Sequence, residues 1–251
     1  MIDTHIHGDA RTSEDFEKMF MSGIDTAITC AYYPYKISNE TVLLNHLERI
    51  LHYDTKRANK HGLELKVALG IHPTNIVKSP DIIFKKLYEY IDNKDILAIG
   101  EIGLENLSPE EKDTFKKQLE IADETKTKVI IHTPRKNKKE VLKETKSIVL
   151  EKIDPKLVVI DHINKNVIED VIDEDFTLGL TVQPQKMEIE EGIMILKEYG
   201  FDKFLLNSDI SNMPSDVLSV PKTIRTLKKL GFENKEIDKV AFKNAKSFFK
   251  I

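Results

Sequence analysis

The chain has 251 residues, 40% of them hydrophobic and 32% charged, enough apolar surface for a packed core, which excludes a disordered chain. Its 38 Lys and Arg stand against 42 Asp and Glu, and the net charge of -4 gives no general attraction to nucleic acid. A single cysteine, Cys30, excludes an intramolecular disulfide and a cysteine-based zinc framework; with no apolar run near the roughly 18 residues of a membrane span, and no signal-peptide pattern in MIDTHIHGDA, a cytoplasmic protein without membrane contact is expected.

Eight short runs rich in β-branched and aliphatic residues predict strands at 2–6, 26–31, 66–71, 96–101, 128–132, 157–162, 177–182 and 203–209. The segments between them have helical spacing. Residues 39–60 put Val42, Leu43, Leu47, Ile50 and Leu51 on one face. Residues 108–125 open with Ser-Pro-Glu-Glu, an N-cap followed by proline at the first helical position, and carry Phe115, Leu119 and Ala122 on one side. Residues 215–230 and 235–249 close the chain as helices. Strict alternation of strand and helix implies parallel strands with helical crossovers. Eight units in about 250 residues give an α/β fold, a single-domain (β/α)8 TIM barrel over residues 1–251. An open doubly wound sheet fits less well, because no Gly-rich phosphate loop follows the first strand.

Candidate chemistry clusters at the ends of these strands. In Asp3-Thr4-His5-Ile6-His7, alternate residues share a face, so His5 and His7 point the same way. The fourth strand ends in Gly100-Glu101-Ile102-Gly103, the fifth in Ile131-His132-Thr133, the sixth in Asp161-His162 and the eighth in Ser208-Asp209. Barrel active sites form at that face, from several strands together. Buried histidines and carboxylates need partners, and this set can satisfy itself by sharing cations.

These pieces, with Gly70-Ile71-His72-Pro73 and the terminal Asn244-Ala245, run in an order and spacing that resemble the TatD family of metal-dependent hydrolases. The resemblance implies a TIM-type barrel with a binuclear divalent-metal site, in a family whose members include metal-dependent deoxyribonucleases. By position, His5, His7, Glu101 and Asp209 resemble the ligands of a first metal. Glu101, His132 and His162 resemble those of a second, with Glu101 bridging. A bridging carboxylate can hold two cations about 3.5–4 Å apart, and a water shared between them becomes a hydroxide nucleophile near neutral pH. Asp209 is a candidate acid-base group. The counterpart of His72 lies near substrate, which assigns it to phosphate contact or leaving-group protonation. Arg135, displaced by Pro134 from the family position, offers a guanidinium fork suited to phosphate. Asn207 stands where members often have Glu.

The expected function is hydrolysis of phosphate esters, nucleic acid or nucleotides first, with two divalent cations per chain drawn from Zn, Mn, Ni, Fe or Mg. Hydrolysis of an amide, lactone or ring C–N bond in a small molecule is the alternative chemistry, and a non-catalytic metal-binding barrel the alternative class. His46, His52 and His61 match no ligand spacing and are expected at solvated or helix-end positions. Cys30 is expected as a small buried hydrophobe, and residues 136–139 as a solvated basic helix start.

Overall fold

A computed structural model describes residues 1–251. Eight parallel strands hydrogen-bond in sequence order, β1 (Ile2–Ile6), β2 (Thr26–Cys30), β3 (Glu64–Leu69), β4 (Ile96–Gly103), β5 (Lys128–His132), β6 (Val158–Ile160), β7 (Thr177–Thr181) and β8 (Phe204–Asn207). The seam between β1 and β8 is closed by Thr4 Oγ1 donating to the Leu206 carbonyl (3.1 Å), and by the Asp209 and His7 amides donating to the His5 and Ile210 carbonyls (both 2.8 Å). The result is the expected (β/α)8 barrel. No helix is long and apolar enough to cross a membrane.

The helices are α1 (Ser13–Met21), α2 (Glu40–Arg49), α3 (Thr55–Asn59), α4 (Asp81–Ile91), α5 (Pro109–Thr125), α6 (Lys138–Lys152), α7 (Ile189–Tyr199), α8 (Ser219–Lys229), α9 (Asn234–Asp238) and α10 (Asn244–Phe249). A π-helical turn, Ile50–Asp54, joins α2 to α3, and another, Lys239–Lys243, joins α9 to α10. The segment expected as one helix over 39–60 is therefore continuous but underwound in its middle, after an Asn39 side chain that caps the Val42 amide. Strict alternation fails once. Between β6 and β7 there is only a 3-10 turn, Ile168–Asp170.

Period-two alternation sorts the strand residues. Outward-facing Val67, Leu69, Val129, Ile131, Leu178 and Leu206 pack against the helices in the main core. Inward-facing Ile28, Cys30, Ala68, Ala98, Ile130, Val159 and Leu205 fill the barrel, plugged at its base by Ala245 and Phe249 of α10. Asn244 pins that plug, donating to the Phe201 and Phe204 carbonyls at 2.7 and 2.8 Å. Cys30 is fully buried, as expected. With the base filled, only the C-terminal ends of the strands are open to chemistry.

Candidate metal centre

Glu101 occupies the centre of the mouth, 1% exposed. Its two oxygens face different histidines. Oε1 lies 2.7 Å from His132 Nδ1 and 3.0 Å from His162 Nε2. Oε2 lies 3.3 Å from His5 Nε2, 3.7 Å from His7 Nε2 and 3.8 Å from His72 Nε2. Burial pushes the Glu101 carboxyl up, but the charges of His5 and His132 and the hydrogen bonds of His132 and His162 outweigh it, so the group is held well below the usual carboxylate range.

Each imaginable ligand histidine has its outer nitrogen tied to a partner that fixes the ring. His5 Nδ1 donates to Asp161 Oδ2 (2.7 Å), and His7 Nδ1 to the Cys30 carbonyl (3.0 Å). His162 Nδ1 pairs with Thr181 Oγ1 (2.7 Å), and His132 Nε2 with Glu105 Oε2 (2.9 Å). Imidazoles that bind metals are oriented in this way. His5 Nε2 is buried and has no hydrogen-bond partner, a cost that a cation at that position removes. Three groups bring candidate ligand atoms within 4.8 Å of one another: His5, His7 and Asp209; His5, Glu101 and His162; His72, Glu101 and His132. This donor set of imidazoles and carboxylates fits divalent cations.

His72 differs from the other four. Its Nδ1 accepts from the Thr74 amide at 3.1 Å, so the ring proton sits on Nε2 and faces Glu101 as a donor. Burial first, and the charge of His132 second, push its pKa well below the ordinary value, keeping it neutral. That arrangement suits substrate contact better than ligation.

His162 and Asp209 stand just past their strands, at φ 58° and 44°. The left-handed backbone, which Asp and His tolerate better than most residues, turns both side chains back toward the mouth. Asp209 Oδ1 lies 3.1 Å from His7 Nε2, and its Oδ2 is ion-paired with Lys186. Burial raises the Asp209 carboxyl, yet the His7 hydrogen bond and the charges of His162, His5 and Lys186 hold it far below the usual range. Arg135 is exposed at the lip. The cleft over these residues has two lobes, about 620 and 270 Å³, which share His132, Arg135, His162, Lys186 and Asp209.

All eight candidate site residues thus gather at one mouth. Sequence reasoning left four others without a role. Asp161 lies behind His5 and accepts a 2.7 Å bond from Asn207 Nδ2; its place in Asp161-His162 was the available signal. Gly179 makes room for that pair, since a Cβ there would stand 1.6 Å from Asp161 Oδ1. Glu105 is aimed by Glu111 of α5, whose Oε2 accepts the Glu105, Asn106 and Leu107 amides at 2.9–3.0 Å. Lys186 comes from the loop after β7, where nothing in the sequence marks it.

Two expectations are corrected. The helix start at residues 136–139 is not uniformly solvated: Lys138 turns inward, donating to Thr133 Oγ1 (2.8 Å) and the His162 carbonyl (2.9 Å), with burial lowering its pKa to about 8. It braces the loops of β5 and β6. His46 is buried at 5% exposure, because the inner face of α2 packs it edge-on against Tyr33, with ring centroids 5.1 Å apart.

The family described as TatD related DNase matches residues 2–250. The uncharacterized metal-dependent hydrolase MJ0761 of Methanocaldococcus jannaschii is 45% identical over 253 residues, covering 100% of both chains. The uncharacterized metal-dependent hydrolase YabD of Bacillus subtilis is 25% identical over 203 residues, 73% of this chain and 77% of its own. Among solved structures, the TatD-like protein AF1765 from Archaeoglobus fulgidus has a TM-score of 0.84 at 27% identity, covering 100% of both chains.

Proposed function

The chain belongs to the TatD family of metal-dependent hydrolases, and on that premise we propose that it cleaves phosphodiester bonds, in nucleic acid or nucleotides, with two divalent cations. The observation that carries this reading is the division of Glu101: one oxygen toward His132 and His162, the other toward His5 and His7. A carboxylate shared in that way suits a pair of cations about 3.5–4 Å apart, the spacing used for in-line displacement at phosphorus.

When bound, the cations supply a water that is acidic near neutral pH and positive charge opposite the developing anionic oxygens. The chain's own side chains do the rest. His5, His7 and Asp209 would hold one cation, and His132 and His162 the other. Asp209, already ionised, accepts a hydrogen bond from the attacking water at its carboxylate on the mouth side and orients it. His72 presents Nε2–H to the cleft and donates to a phosphate oxygen or the leaving oxygen. Arg135 offers two parallel donors to a phosphate that enters from solvent.

The test is protein reconstituted with Mn, Zn, Ni, Fe or Mg and assayed on bis(p-nitrophenyl) phosphate, single-stranded DNA, RNA and nucleotides beside lactones and amides. Phosphodiester hydrolysis that chelation abolishes, in protein holding two cations per chain by elemental analysis, is the expected result. Faster turnover of a lactone or amide with no phosphodiester cleavage overturns the substrate assignment. A limit of one cation overturns the binuclear one.

A further inference from the structure

We propose that Lys186 is a substrate-anion-binding residue held in reserve on Asp209, and that a divalent cation arriving at Asp209 releases it into the cleft. For its substrate this rests on the phosphate-ester reading; for the exchange at Asp209 it does not.

Lys186 is delivered to the site by a built turn. The Lys186 and Met187 amides donate to the Gln183 carbonyl at 2.9 and 3.1 Å, and the Gln183 amide donates to the Met187 carbonyl at 3.1 Å. Gln185 takes a left-handed φ of 69° to close it. The Gln183 side chain clamps this turn to the loop after β8, donating to the Ser208 carbonyl (2.9 Å) and accepting the Asp216 amide (2.6 Å). The lysine side chain is only 17% exposed, and its ammonium donates both to the Asp209 carbonyl (2.8 Å) and to the carboxylate Oδ2.

Asp209 is also a candidate cation ligand, with Oδ1 beside His7 Nε2. With a cation at Oδ1 and the ammonium on Oδ2, two like charges would share one carboxylate and repel across it. The ammonium is the mobile partner, on a flexible four-carbon stem. It lines both lobes of the cleft with Arg135, so a small rotation presents it to a bound ligand. Charge balance says what that ligand is. Glu101, Glu105 and Asp209 line the cleft, with Asp161 behind His5, against Arg135, Lys136, Lys138 and Lys186. Two divalent cations match the four carboxylates and leave the four basic side chains uncompensated, a field that draws in an anion.

The experiment measures Mn2+ binding to metal-free protein, and inorganic phosphate binding to Mn2+-loaded protein, by calorimetry. Wild type is compared with Lys186→Met and Lys186→Gln, and with Lys136→Met as a cation of the same cleft that does not touch Asp209. Loss of Lys186 should tighten Mn2+ binding about tenfold, because its competitor at Asp209 is gone, and weaken phosphate binding by about tenfold or more, the scale of a charge-assisted hydrogen bond. Lys136→Met should leave Mn2+ affinity within about threefold. Unchanged Mn2+ affinity in the Lys186 variants overturns the exchange. Tighter Mn2+ with unchanged phosphate affinity makes Lys186 a counter-ion only, and an equal Mn2+ effect from Lys136→Met makes the contact nonspecific; either result overturns the proposal. Circular dichroism checks the fold of each variant, and the glutamine variant keeps the test readable if the methionine variant misfolds. Wild-type protein that follows these affinities yet cleaves no phosphodiester removes the proposed function and leaves the exchange at Asp209 intact.

Discussion

Glu101 is the residue on which the mouth depends most. A carboxylate at 1% exposure is costly unless positive charge faces it, and in this protein that charge is spread over imidazoles on both sides. Glu101→Gln keeps the shape but offers a neutral amide as bridge. Both cations should bind more weakly and turnover should fall at least about a hundredfold, the scale for misplacing a reacting group by about 1 Å. Circular dichroism should be unchanged, because the barrel interior is filled by Ile28, Ala98, Ile130 and their neighbours and not by this side chain. A variant that holds two cations tightly at near wild-type rate removes the bridging role. Glu101 and the strand-end histidines were legible in the sequence because barrel topology brings strand ends to one mouth; alternation does not aim them all, since Glu101 sits in an irregularity of the β4–β5 register and His162 in a left-handed turn. Glu105, Asp161 and Lys186 were not legible, because their partners are set by loop geometry. Glu105 meets His132 only because Glu111, in the first turn of α5, gathers the intervening amides.

At the scale of elements, strand identities were readable from apolar runs, while strand ends were not. β6 stops at Ile160 and β8 at Asn207, because the following residues leave the ladder to turn His162 and Asp209 inward. Gly179, inside β7, shows how one element shapes another. Added there, a Cβ collides with Asp161 Oδ1, so Gly179→Ala should push the carboxylate off His5 and Asn207. The barrel should survive a strain of about 1–3 kcal/mol, while Mn2+ affinity drops about 10- to 100-fold, as when the partner of a ligand imidazole is lost. Unchanged Mn2+ affinity in a calorimetric titration would show that Asp161 does not orient His5. The helix face that buries His46 has a pH signature. Burial first, then the charge of Arg49, lowers its pKa to about 4, against about 6.5 in an unfolded chain. The fold holds it neutral, so its contribution is complete above pH 6.5 and is lost as pH falls toward 4, when the unfolded chain takes up the proton first. Between pH 7.5 and 4.5 that loss is about 2.5 kcal/mol. Urea unfolding at the two pH values should show a smaller drop for His46→Leu than for wild type by this amount; equal drops would mean that His46 titrates normally in the fold.

For the whole molecule, the net charge of -4 and the basic cleft pull in opposite directions on a nucleic-acid substrate. The body of the protein offers no attraction to a long polyanion, and the cations that can reach a strand are few. Lys138 is committed to the loops of β5 and β6, and Lys139 lies 4.0 Å from Asp170. Arg135, Lys136 and a released Lys186 remain at the cleft. Each phosphate neutralised on a single strand contributes about -0.7 to the slope of log affinity against log salt, so three contacts give about -2. Binding of a short single-stranded oligonucleotide to cation-loaded protein of a catalytically silenced variant, measured from about 50 to 200 mM salt, should follow that slope and flatten by about 0.7 in Lys136→Met. A slope near -5 would require a basic track well outside the cleft, and the chain would then be reading extended nucleic acid. A slope near zero would mean that no backbone phosphate is held beyond the one at the cations, and the natural substrate would be as small as a nucleotide.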